Sequence, residues 1–163
     1  MKKLLLLPLL ASVLFTSQAS AVENYTMDFK KDTRGLVRKL QIYKDPTWAA
    51  KVETKDSKVF YFTSPKSLME FYYNPKKWPE TKVSTSDDLK DIIVTDYATL
   101  NPIDAKYAFY VYGSNKISFA GDDLPAFKDI NDAKNFLHKN NGKRILKFEE
   151  LTNGLIKLLN GDI

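Results

Sequence analysis

Five positions of this chain recur at a fixed offset, and that recurrence limits the folds open to it. Phe62, Ser64, Leu68, Phe71 and Tyr72 return 65 residues later as Phe127, Asp129, Ala133, Phe136 and Leu137. Each set places an aromatic at the end of an extended run, then a capping residue, then apolar positions at helical spacing. An apolar strand follows each, at Ile92 to Thr95 and at Arg144 to Phe148. The pattern predicts an α+β fold of duplicated strand-strand-helix-strand units, at 36–100 and 101–163, with a C-terminal helix over Leu151, Leu155, Leu158 and Leu159.

Around these runs the turn chemistry is explicit. Asp56-Ser57 is placed for a hairpin between an extended segment from Trp48 to Glu53 and a strand ending at Phe62. Ser64-Pro65 is a cap followed by proline at the first helical position, and Asn74-Pro75 ends that helix. A polar connection with Pro79 and Ser84 to Asp88 leads to the strand at Ile92, and Asn101-Pro102 reads as a turn. Tyr107 to Tyr112 reads as a strand and Lys116 to Phe119 as a weaker extended segment, with Asn141-Gly142 stopping the second helix. Leu36, Val37, Leu40 and Ile42 suggest a short strand or a turn into one.

The amino terminus assigns a compartment. Lys2 and Lys3 precede an apolar run from Leu4 to Phe15, and Ala19-Ser20-Ala21 supplies a small-x-small pattern. Residues 1–21 therefore read as a secretory signal peptide cleaved near Ala21-Val22, and 22–35 as a flexible leader. The expected location is the periplasm, with no stable membrane insertion after cleavage. The chain has no cysteine, which excludes a disulfide framework, a thiolate nucleophile, thiolate metal ligands and a lipidated amino-terminal cysteine. Of the 25 basic residues that outnumber 20 acidic ones, Lys2 and Lys3 lie in the expected signal peptide, and the rest mix with acids. Such mixing argues against a nucleic-acid partner.

Chemistry-bearing residues are sparse. The single histidine, His138, falls among polar helical residues, expected to face solvent. Met27 lies in the leader and Met69 beside the first helical stripe; thioethers suit cuprous copper, but the two form no spaced cluster. Asp87-Asp88 and Asp122-Asp123 are carboxylate pairs open to calcium or to acid–base work, expected to be solvated surface pairs. No nucleophile elbow or phosphate loop occurs, and no enzyme activity is expected.

Longer blocks carry a resemblance. Lys44-Asp45-Pro46-Thr47-Trp48-Ala49-Ala50, Val59 to Phe62, and Ser64-Pro65-Lys66-Ser67-Leu68-Met69-Glu70-Phe71-Tyr72 are similar to the NosL family. So are Ile93-Val94-Thr95-Asp96-Tyr97, Pro102-Ile103-Asp104-Ala105, Tyr110-Val111-Tyr112-Gly113-Ser114 and Gly142 to Phe148. The resemblance runs from about Leu36 to Leu159. It implies paired strand-strand-helix-strand units, similar to part of organomercurial lyase, and an accessory role toward nitrous oxide reductase involving copper(I). It also implies ligands in a C-x-x-C-G-M block and a G-P-M-G block. Here those blocks read Gly35-Leu36-Val37-Arg38-Lys39-Leu40 and Ser118-Phe119-Ala120-Gly121, so Gly35, Arg38, Leu40 and Ala120 occupy the ligand positions. None is a soft donor.

Three roles follow as expectations. The first is an accessory protein working by contact with nitrous oxide reductase or a copper-bearing relative, through an exposed patch that includes Trp48 or Trp78. The second is a copper(I) carrier with a relocated site drawing on Met27, Met69 or His138. The third is a small-molecule binding module using a pocket between the halves. No cofactor is expected from the residues themselves; copper(I) enters only through the resemblance.

Overall fold

The computed structural model describes residues 25–163; the segment expected to be a signal peptide, with its expected cleavage site, lies outside them. Two antiparallel sheets form. The first holds β1 (Ala50–Thr54), β2 (Val59–Phe62), β3 (Leu89–Thr95) and β4 (Pro102–Asp104) in the order β2-β1-β3-β4. The second holds β5 (Phe109–Tyr112), β6 (Ala126–Phe127) and β7 (Arg144–Lys147) in the order β6-β5-β7. Helix α1 (Pro65–Tyr73) joins β2 to β3, and α2 (Ile130–Lys139) joins β6 to β7. Each sheet thus has its first strand in the middle, the second on one side and the post-helical strand on the other. Helix α3 (Asn153–Asn160) closes the chain and packs on α1.

Local chemistry accounts for the element ends. Ser64 caps α1 by accepting the Ser67 N–H at 3.0 Å, and Pro65 takes the first position, where a missing N–H costs nothing. Asp129 caps α2 and Thr152 caps α3, with Gly161 in the left-handed region ending the latter at φ 75°.

Several expectations shift. Lys116 to Phe119 forms no strand; the partner of β5 is the two-residue β6 instead, because Ser118 closes a tight turn with Gly121. Asn101-Pro102 does not end in a turn but opens β4, an edge strand where proline's missing donor faces no partner. β4 pairs with β3, so the first sheet extends past residue 100. Leu36 to Ile42 is a turn, bridged by Arg34 and Gln41 and followed by a short 3-10 segment. Trp48 likewise ends a 3-10 turn rather than an extended run.

The expected flexible leader is tied down over its described part. Tyr25 donates to Asp104 on β4, Lys51 on β1 donates to Thr26, and Tyr61 on β2 donates to the Asp28 carbonyl. The Phe29 ring meets Tyr61 edge-on. Residues 25–29 therefore form a strap across the outer face of the first sheet.

The main core joins both sheets: Val52, Phe62, Leu68, Met69 and Phe71 pack in one cluster with Tyr110, Leu124, Leu146, Leu151 and Ile156. The next residue along β5, Val111, points the other way into a smaller cluster with Phe127, Ala133 and Phe136 under α2. β5 is consequently buried on both faces. Tyr110, fully buried, donates its hydroxyl to the Ala105 carbonyl at 2.7 Å, and desolvation raises its pKa well above 10. Tyr110→Phe should lower stability by about 1–2 kcal/mol in urea titration, since it strips that bond but keeps the ring.

Candidate functional site

A buried carboxylate gathers charged and polar side chains from distant parts of the chain. Asp122 is 1% exposed. The turn before it explains how: Gly121 takes φ +77°, its N–H returns to the Ser118 carbonyl, and the Ser118 N–H reaches the Asp122 carbonyl. The Asp122 N–H also donates to Ser118 Oγ, and the side chain turns inward.

Three side chains meet it. Ser64 Oγ donates to Oδ2 at 2.6 Å, Arg38 Nη2 lies 3.0 Å from Oδ1, and Lys66 Nζ lies 3.0 Å from the same oxygen. Arg38 Nε reaches Oδ2 at 3.4 Å, making a fork. Ser64 does double duty, since the oxygen that caps α1 is the one that donates to Asp122. Lys66, whose side chain is 6% exposed, also donates to the Leu159 carbonyl, and Arg38 Nη2 donates to Asn160. Glu70 lies 3.7 Å from Arg38 Nη2, and its Oε2 is buried without a hydrogen bond. The cluster joins the 35–40 turn, α1, the 118–124 loop and the end of α3.

An open cleft of about 400 Å³ lies over this cluster, lined by Arg38, Lys66, Glu70, Lys77, Ala120 and Asp122 among others. Two of the four ligand positions implied by the resemblance, Arg38 and Ala120, share it. Gly35 packs beneath, where a Cβ would sit 3.1 Å from Thr63, and its N–H donates to the Leu40 carbonyl. Arg38 puts fixed positive charge at a position where the resemblance implies a ligand, and Ala120 offers no donor atom at another. Copper(I), as cargo, does not fit these residues. Among the described residues no three His, Asp or Glu side chains converge on a point that could hold a metal ion.

The other sequence candidates scatter. Met69 is 1% exposed inside the main core, Met27 is half-buried in the strap, and His138 is exposed in the last turn of α2. They belong to three separate elements. Trp48 is 3% exposed and packs edge-on against Tyr97, so it is core rather than contact surface; Trp78 is half-buried against Phe71. The join between the sheets is filled by core side chains such as Phe62, Tyr110 and Leu124.

The two carboxylate pairs part company. Asp88 accepts the Ser84 and Thr85 N–H groups, which hold its carboxyl below the usual range, while Asp87 is exposed. Asp122, expected at the solvated surface, is buried because Arg38, Lys66 and Ser64 satisfy it. Its neighbour Asp123 accepts the Gly113 and Leu124 N–H groups, yet desolvation raises its pKa. A raised carboxyl favours folding most when protonated. Its contribution is therefore full below the ordinary carboxylate range and is lost as pH rises through the raised value. Urea titrations across that window should show wild type losing stability relative to Asp123→Asn as pH rises.

Sequence reasoning missed Lys66, Glu70 and the inward turn of Asp122. Lys66 reads as a solvated helical residue, and only the packing of α3 against α1 buries it.

A profile of the NosL family matches residues 26–156. No curated protein matches. Among solved structures, the crystal structure of the copper chaperone NosL from Shewanella denitrificans aligns with a TM-score of 0.67 at 23% identity. The alignment covers 80% of this chain and 98% of that one.

Proposed function

The chain belongs to the NosL family, and from that premise we propose that it is a periplasmic accessory protein for the maturation or maintenance of nitrous oxide reductase. It acts through protein contacts, holding the reductase or a copper-bearing relative, and does not itself carry copper. One observation supports this division of labour above all. Arg38 and Lys66 converge on Asp122 in the cleft where the resemblance implies copper ligands, so the chain's own cations take the place of cargo. Excluding a soft cation follows from charge and from the missing thiolates and thioether together.

Two experiments test the reading. In an anaerobic competition against a chromophoric chelator, the exported chain should take up no cuprous copper; tight one-to-one binding would overturn the non-carrier reading. The same chain, tagged and recovered from a native periplasm, should bring down nitrous oxide reductase or a copper-bearing relative. Recovery of neither would overturn the accessory role.

A further inference from the structure

Two neighbouring loops leave large apolar side chains in solvent on one side of the molecule. Ile117 is 63% exposed, Phe119 52% and Tyr43 37%. Between Ile117 and Phe119, Ser118 is buried, so the loop is pinned at its middle while its flanks face outward. The Phe119 N–H donates to Asp45 Oδ2 at 2.8 Å, which docks this loop beside Tyr43 and Lys44. Asp45's other oxygen accepts from Thr47, so this carboxylate is engaged internally.

Lysines surround the exposed rings. Lys44 Nζ lies 5.3 Å from the Phe119 centroid, and Lys31 Nζ lies 5.5 Å from that of Tyr43. Lys116 adjoins Ile117 in an exposed stretch. Lys31, Lys44 and Lys116 have no carboxylate within salt-bridge distance among the described residues. The surface thus combines an apolar centre with three lysines that stand outside close ion pairs, Asp45 and Asp32 being the acidic neighbours.

Charge decides between occupants. Three partly exposed apolar side chains offer on the order of 300 Å², and the three lysines around them stand in no ion pair among the described residues. For a bilayer surface that area suffices. Short apolar side chains enter the headgroup boundary while lysine stems lie along it and keep their ammonium groups at lipid phosphates. We propose that the Tyr43/Ile117/Phe119 patch with Lys31, Lys44 and Lys116 docks the protein reversibly on an anionic phospholipid surface. No helix among the described residues is long and apolar enough to cross a membrane, so the attachment is peripheral. The inference goes beyond the accessory role and stands apart from it.

The test is co-sedimentation of the exported chain with vesicles of phosphatidylcholine containing 30% phosphatidylglycerol, against pure phosphatidylcholine. Binding should appear on the anionic vesicles and fall at least tenfold between low salt and 0.5 M salt. Ile117→Ser/Phe119→Ser should lower partitioning at least tenfold, and Lys44→Ala/Lys116→Ala several-fold, with thermal stability unchanged because all four side chains are exposed. Absence of binding to the anionic vesicles, or binding indifferent to the Ile117/Phe119 pair, would overturn the proposal. So would a double variant that leaves vesicle binding intact and loses only a protein partner, which would make the patch a protein interface.

Discussion

Asp122→Ala should cost about 3–5 kcal/mol of folding stability, the loss expected when one member of a buried ion cluster is removed. The effect comes less from the lost attractions than from what is left behind. Lys66 would be left in a site where 6% of its side chain is exposed, with only the Leu159 carbonyl to accept from it. Ser64 would keep its cap but lose its acceptor, and Arg38 would retain Asn160 and a distant Glu70. Urea or guanidinium titration measures the loss. A second variant separates charge from geometry: Asp122→Asn preserves shape and one acceptor, and should fall between wild type and alanine. If alanine costs under about 1 kcal/mol, the cluster is not buried as described.

Phe71→Ala should be of similar size, about 3–5 kcal/mol, for a different reason. The ring is fully buried on α1 and lies 5.4 Å from Phe62, 5.8 Å from Trp78 and 6.3 Å from Phe60 by centroids. Truncation empties a hole among aromatic rings too stiff to collapse into it. The two tryptophans give a built-in control. Trp78 loses a packing partner, whereas Trp48 rests on Tyr97 elsewhere. Fluorescence from Trp78 in a Trp48→Phe background should shift toward the red, and emission from Trp48 in a Trp78→Phe background should hold. Equal shifts at both sites would mean that the substitution loosens the whole fold.

The elements written in local chemistry were legible and those set by distant contacts were not. Ser64-Pro65 announces the start of α1, Asp129 that of α2, and the 59–62 run its strand, because capping and β-branched patterns act over a few residues. β4 hides behind Asn101-Pro102, since a proline at a sheet edge looks like a turn until β3 is there to pair with it. The two-residue β6 has too little length for any period. At the site, Arg38 and Ala120 could be singled out by resemblance, but the spacing of Ser64, Lys66 and Asp122 says nothing of their meeting. An Asp-Asp dipeptide beside glycine describes a solvated loop equally well. Its burial is decided by cations 56 and 84 positions away in the chain.

Those separations give the charge cluster a place in time. The Arg38 contact to Asn160 spans 122 residues, and the Lys66 contact to Leu159 spans 93. A chain made amino terminus first delivers Arg38 well before Asn160. Lys66 and Asp122 can meet sooner, but the α3 carbonyl that completes their shell arrives only with the final turn. Contacts this distant carry the largest loop-closure cost and form late. The cluster therefore works as a completion mark: a molecule stalled or trimmed a dozen residues short would hold a half-sealed pair of charges under an open α1. Such a molecule should open more readily to added protease than the whole fold, because α1 would lack the partner that buries Lys66.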